Sequence, residues 1–164
     1  MNGHEFLQFV AGRRSIRSFT DEPISHEVLE RIVRAAACAP SATNRQPWKF
    51  AVVTAPELKE QIAAAVRTET ERIDEVAQRG HHSGEMAAYW RYFWEPLRGA
   101  AALVVPYYRL HADLLAGLIE AGGGDPSQFV TAGAMQAELQ AACAATMSLL
   151  LQAHAEGLGA CWMT

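Results

Sequence analysis

The stretch Ala39-Pro40-Ser41-Ala42-Thr43-Asn44-Arg45-Gln46-Pro47-Trp48-Lys49-Phe50 gathers two hydroxyls, two carboxamides and a guanidinium between two prolines. Neither proline suits a helix interior or a central strand, so the residues between them form a short, stiff loop. That many hydrogen-bonding groups on such a loop suit gripping a flat polar ligand. Read alone, the same residues also make an ordinary polar connection between two elements. A second cluster lies upstream, where Arg13, Arg14 and Arg17 surround Ser15. Arginine presents a planar fork of donors that matches phosphate oxygens, so the cluster reads as a phosphate-ester clamp or as a solvated basic turn.

Other reactive side chains carry less. His81, His82 and Glu85 have ligand chemistry, but no third ligand stands at a proper spacing. His154 lies in a long apolar helical run and reads as a packed core or interface histidine. No G-x-S-x-G, P-loop or G-x-G-x-x-G pattern occurs, so acyl transfer and Rossmann-type cofactor binding lack support. Tyr89, Trp90, Tyr92, Phe93 and Trp94 form an aromatic stretch that reads as core or as a pocket lid.

Bulk properties narrow the classes further. With 164 residues, the chain suits one domain with a core of its own. Eighteen acidic against fourteen basic residues, a net charge of −4, argue against a nucleic-acid binder. Cys38, Cys143 and Cys161 are odd in number and widely spaced, which fits neither a disulfide framework nor a zinc site. A reducing cytoplasmic setting is expected. No secretory leader and no apolar run of membrane-spanning length are recognised.

The elements that must position the two clusters follow from periodicity. Residues 5–11 predict a short helix ended by Gly12. Residues 13–19 read as extended chain, with a turn at Asp21-Glu22-Pro23. Ser25 is placed to cap a helix whose face is Val28, Leu29, Ile32, Val33 and Ala36, and which stops near Cys38 ahead of Pro40. Residues 50–53 and 100–105 read as buried strands, the second with both faces covered. Thr54 and Glu57 suggest a capping box for a helix reaching Val66 or Ala77. Residues 85–97 form an aromatic-rich stretch, and helices are expected over 111–121 and 133–156. The last is apolar around most of its circumference and ends at Gly157. Residues 159–163 read as a further strand.

Taken together, Arg13-Arg14-Ser15-Ile16-Arg17-Ser18-Phe19, Pro23, the Val28/Leu29/Ile32 helix and the 39–50 loop resemble the nitroreductase family of flavoproteins. The closing run Leu149-Leu150-Leu151-Gln152-Ala153-His154, followed by Gly157-Leu158-Gly159-Ala160-Cys161-Trp162, resembles it too. The resemblance covers about residues 5–54 and 131–164. It implies an α+β fold with a central, mostly antiparallel sheet flanked by helices. It also implies an obligate homodimer with the long helix in the interface and FMN in two symmetric clefts. In that picture Arg13, Ser15 and Arg17, with Arg14 beside them, hold the FMN phosphate and ribityl end. Pro40, Ser41, Ala42, Asn44 and Gln46 approach the flavin ring from the partner chain. Cys161, Trp162 and Met163, in the run to Thr164, pass beside the ring, where a backbone N–H reaches N5.

The implied activity is that of an NAD(P)H-dependent oxidoreductase. NAD(P)H reduces the flavin and leaves, and a nitroaromatic, quinone or similar electron-poor acceptor is then reduced in the same cleft. The cofactor carries the chemistry, so no catalytic side chain and no metal are expected. Against the family pattern, the chain is expected to lack a C-terminal segment with late basic residues, and hence to hold FMN less completely. An aromatic lid over the cleft is expected from residues 89–94. Two alternatives stand beside this reading. One is a flavin-fragmenting or dehalogenating relative of the same fold, and the other is a non-catalytic flavin-binding or interaction protein.

Overall fold

The computed structural model describes residues 1–80, 83–131 and 133–163. Asn2 opens α1 (Gly3–Gly12) with a reciprocal capping box, its Oδ1 accepting from Glu5 N–H at 2.9 Å. Gly12 ends the helix where the sequence places the stop, and residues 13–14 and 16–20 continue without regular pairing. Ser25 caps α2 (His26–Ala37) by accepting from Val28 N–H. Leu29, Ile32 and Ala36 are its buried positions, at the three- and four-residue spacing of one helix face.

The loop after α2 holds a single 3-10 turn, Ala42–Asn44, and leads into β1 (Trp48–Val53). The long helix α3 (Pro56–Ala77) and α4 (Ser83–Gly99) then pack on each other as a hairpin. β2 (Leu103–Tyr108) returns antiparallel to β1, with Trp48 opposite Tyr108 and Val53 opposite Leu103. After α5 (Leu114–Ala121) and a 3-10 turn at Pro126–Gln128, the chain enters α6 (Ala137–Ala155).

α6 is the centre of the molecule. Ala141, Ala145, Leu149 and Ala153 recur every fourth residue and meet Ile32 and Ala36 of α2, with Ala39 and Trp48 closing the cluster. Small side chains on that face bring the two helices close enough for dispersion contacts to accumulate. Between Ala141 and His154 no residue of α6 is exposed, as its apolar circumference predicts. Arg31 of α2 fastens the far end of α6 with two 2.8 Å hydrogen bonds to the Glu156 carboxylate.

Several sequence expectations change. Residues 50–53, read as buried, leave Ala51 and Val52 exposed, and the long helix begins at Ala137 rather than Gly133. Thr54 does not cap α3; Ala55 occupies that position without a side-chain bond, and Pro56 alone marks the helix start. The helix expected from His111 begins at Leu114, because the Asp113 carboxylate accepts from Leu115 and Ala116 N–H and sets the cap there. The second strand lies three residues later than expected and is largely open: Val105, Tyr107 and Tyr108 are exposed. In a two-stranded sheet both strands are edges, and β2 tolerates Pro106, which has no N–H to donate. The strand expected over 159–163 reduces to one parallel bridge between Ser15 and Ala160.

The aromatic stretch packs on α3. Trp90 Nε1 donates to Asp74 at 2.7 Å, the Arg67 guanidinium lies over the Trp94 ring, and Tyr89 meets Phe93 edge to face. In the single chain these rings serve the α3–α4 hairpin rather than a lid. The His81/His82/Glu85 ligand reading falls on side chains outside the described residues. Among the described residues no helix is long and apolar enough to cross a membrane.

Candidate functional site

The arginine segment is held in place by α6 and the turn that follows it. Gly157 adopts φ +76°, and Leu158 N–H donates to Ala153 carbonyl oxygen at 2.9 Å. This left-handed turn suits glycine and closes the helix end. It sends residues 158–160 back along residues 15–16, where Ile16 N–H donates to Ala160 carbonyl oxygen at 3.0 Å. The approach is tight: a Cβ on Gly159 would lie 2.9 Å from Ile16 Cγ2.

These contacts form an open cleft of about 320 Å³ lined by Gly12, Arg13, Arg14, Leu150, His154 and Gly159 among others. No carboxylate lines it. Arg13 and Arg17 have no acidic partner among the described residues, while Arg14 spends its guanidinium on the Ala11 and Arg13 carbonyls. Ser15 and Arg17 flank Ile16, which lines the cleft, and both are exposed. A cleft with cationic donors and no acid is suited to an anion.

The 40–46 loop stands at the opposite end of α6. Arg45 reaches Glu138 at 3.2 Å, and His111 Nδ1 lies 3.8 Å from the same carboxylate oxygen. Glu138 is buried, so the pair pins the loop to the first turn of the helix. The loop backbone is unusual. Thr43, Asn44 and Gln46 have φ of 51°, 54° and 46°, a left-handed region costly for residues with a Cβ. The Ser41 hydroxyl accepts from Gln46 N–H at 2.9 Å and holds this shape. Pro40, Ala42, Asn44 and Gln46 are exposed, and Ser41 is partly buried. Backbone strain supported by a buried ion pair is characteristic of ligand-holding loops.

Cys161 and Met163 are partly buried and Trp162 is exposed, just beyond the bridge to Ser15. Thr164 lies outside the described residues. The structure therefore brings residues 13–17 together with the 157–163 run and anchors the 40–46 loop at the other end of α6. From Glu138 to His154, the helix positions that mark the two ends, α6 rises about 24 Å.

Glu138 and Asp113 were not singled out by sequence reasoning, and His154 was given another role. Glu138 carries a signal in retrospect, as the last acidic residue before a long charge-free run that must be buried. His154 was read as a packed histidine; its ring does stack on Phe9, with centroids 4.8 Å apart, but it also faces the cleft. Asp113 supports the approach to α6. Its carboxyl is held down to about 2 by the Thr131 hydroxyl and the Gly133 N–H, with the Ala116 and Leu115 amides adding to the effect.

The Nitroreductase family model matches residues 10–164, and the chain belongs to the nitroreductase family. Among curated proteins, it is 38% identical to iodotyrosine deiodinase 1 of Rattus norvegicus over 71 residues, 43% of this chain and 25% of that protein. It is 46% identical over 61 residues to a putative NADH dehydrogenase/NAD(P)H nitroreductase of Archaeoglobus fulgidus, 37% of this chain and 35% of that one. The matched stretches thus span well under two thirds of either relative. Among solved structures, the BluB-like flavoprotein of Clostridium difficile 630 superposes with a TM-score of 0.80 at 24% identity, over 99% of this chain and 75% of that one. A putative nitroreductase from Desulfovibrio desulfuricans, solved in complex with FMN, superposes with a TM-score of 0.58 at 29% identity. That match covers 100% of this chain and 69% of the other.

Proposed function

We propose that this chain is an FMN-dependent oxidoreductase that works as a homodimer and passes hydride from NAD(P)H to a nitroaromatic, quinone or similar electron-poor acceptor. The observation that carries the reading is the position of the two polar clusters at opposite ends of α6. Two chains arranged head to tail would offer both clusters to one cofactor, residues 13–17 from one chain and the 40–46 loop from the other. The residues fit the group: Arg13 and Arg17 supply guanidinium donors without acidic partners for a phosphate dianion, and the cleft beside them holds no carboxylate. Ser41, Asn44 and Gln46 of the second chain would offer hydroxyl and amide groups to the polar edge of the flavin. When bound, FMN supplies hydride chemistry at N5, and the protein's part is to orient it.

Exposed apolar surface supports association. Leu110, Leu114, Leu118, Phe129 and Val130 are all more than half exposed in the single chain, which favours burial against a second copy.

The FMN complex of the D. desulfuricans relative and the NAD(P)H in the name of the A. fulgidus protein favour this cofactor pair. The match to iodotyrosine deiodinase 1 supports a second reading, reductive dehalogenation in the same cleft. One experiment separates them. The protein is loaded with FMN, NADH or NADPH is added anaerobically, and the flavin absorbance is followed. Bleaching reversed by a nitroarene or quinone supports the first reading. Flavin that ignores both nicotinamides but turns over a halogenated phenol after dithionite reduction supports the second. Bound flavin that does neither points to a non-catalytic binding protein.

A further inference from the structure

We propose that His154 is a phosphate-binding residue of this cleft, donating a hydrogen bond from Nε2 to the ester phosphate beside Arg13; the proposal deepens the flavin reading and rests on it. Three observations converge. The imidazole is partly buried and its ring nitrogens bond no other described residue; no buried side-chain atom is left unpaired, so both nitrogens reach solvent and can exchange water for a ligand. Its orientation is fixed, because one face stacks on Phe9 with an interplanar angle of 31°. The Nε2 edge points to Gly12: a Cβ added there would sit 3.5 Å from Nε2 and 4.0 Å from Cε1. Glycine at the last position of α1 therefore leaves this nitrogen open to the cleft that Arg13 also lines.

The ring presents an edge to an open cleft that is lined by two arginines and by no carboxylate among the described residues. An imidazole N–H donates in either charge state, so the contact needs no change of protonation. The ligand this lining suits is a phosphate monoester, whose oxygens accept from an imidazole N–H and from guanidinium together.

The test compares FMN with riboflavin, which differ by the phosphate. Dissociation constants for both are measured by flavin fluorescence with the wild-type chain, His154→Phe, His154→Gln and Gly12→Ala. His154→Phe keeps the stacking on Phe9 and removes the donor. It is expected to weaken FMN about tenfold and to leave riboflavin within twofold. His154→Gln, whose amide N–H reaches the position of Nε2, recovers most of the loss. Gly12→Ala, which covers Nε2 with a methyl and leaves α1 helical, weakens FMN in the same direction. Equal effects on both flavins, or unchanged FMN binding in His154→Phe, overturn the proposal. Failure of the wild-type chain to bind either flavin would instead count against the flavin reading. In that event the imidazole 15N resonances are followed while inorganic phosphate is added. A shift of His154 then sustains the phosphate site without a flavin, and its absence overturns it.

Discussion

Gly159 and Ile16 are in such close register that a Cβ on the glycine would come within 2.9 Å of Ile16 Cγ2 and 3.0 Å of its Cβ. These are β-branched atoms with little room to rotate away. The contact joins the end of the chain to the arginine segment, through the Ser15–Ala160 bridge. Gly159→Ala is expected to force the two segments apart at a cost of about 1–3 kcal/mol. Thermal unfolding measures the loss. Flavin titration should show FMN affinity falling with it, because Arg13 and Arg17 ride on the displaced segment. An unchanged melting temperature would show that the approach is looser than drawn.

Removing Arg45 strands a buried carboxylate. Glu138 is 6% exposed, and Arg45 is its nearest cation. Arg45→Met is expected to destabilise the fold by about 3 kcal/mol. The double variant Arg45→Met/Glu138→Gln should recover much of that, since no uncompensated charge remains. Chemical denaturation of the four proteins in this cycle reads the coupling directly.

Thr43 carries φ of 51° on a β-branched residue. Thr43→Gly should relieve about 1 kcal/mol of backbone strain and raise the unfolding midpoint. If the midpoint falls instead, the hydroxyl bond from Thr43 to the Ala42 carbonyl outweighs the strain.

Acid should loosen the junction of α2 and α6. The Arg31 guanidinium, helped by the Gln152 amide, holds the Glu156 carboxyl down to about 2, against an ordinary value of 4.5. A depressed carboxylate contributes stability that is fully present above its unfolded-state value. That stability is lost as pH falls from 4.5 toward about 2. Glu156→Gln should therefore be less stable than wild type near neutral pH, and the gap should narrow in acid. Urea unfolding of both proteins across that range checks the sign.

Complementation tests the shared cleft. A chain altered at Arg13 and Arg17 and a chain altered at Asn44 and Gln46 should each bind FMN poorly. Mixed dimers would contain one cleft with both defects and one with neither. Flavin content should then rise toward one FMN per mixed dimer after refolding together. No recovery on mixing would mean that each chain builds its cleft alone.

Local chemistry made much of this legible from the sequence. Ser25 announces α2 because a hydroxyl can accept from an orphan N–H three residues on. Gly157 announces the end of α6 because a left-handed turn favours glycine. The charge-free run after Glu138 announces burial, because charge without a partner is excluded from a core. The arginines at 13, 14 and 17 and the amides at 44 and 46 were visible as ligand chemistry. Tertiary structure decided what these signals could not carry. Thr54 looks like a cap, yet the backbone turns one residue later. Residues 100–105 read as a buried strand because an apolar run records apolarity and not which neighbours cover it; the strand forms at Leu103–Tyr108, and among the described residues only β1 pairs with it. The aromatic rings went to α3, whose partner helix is set by packing across the hairpin. The separation of the two polar clusters along α6, and the open Nε2 edge of His154 beside Gly12, are relations between residues far apart in the chain. No local propensity encodes them, because they exist only once the helices have packed.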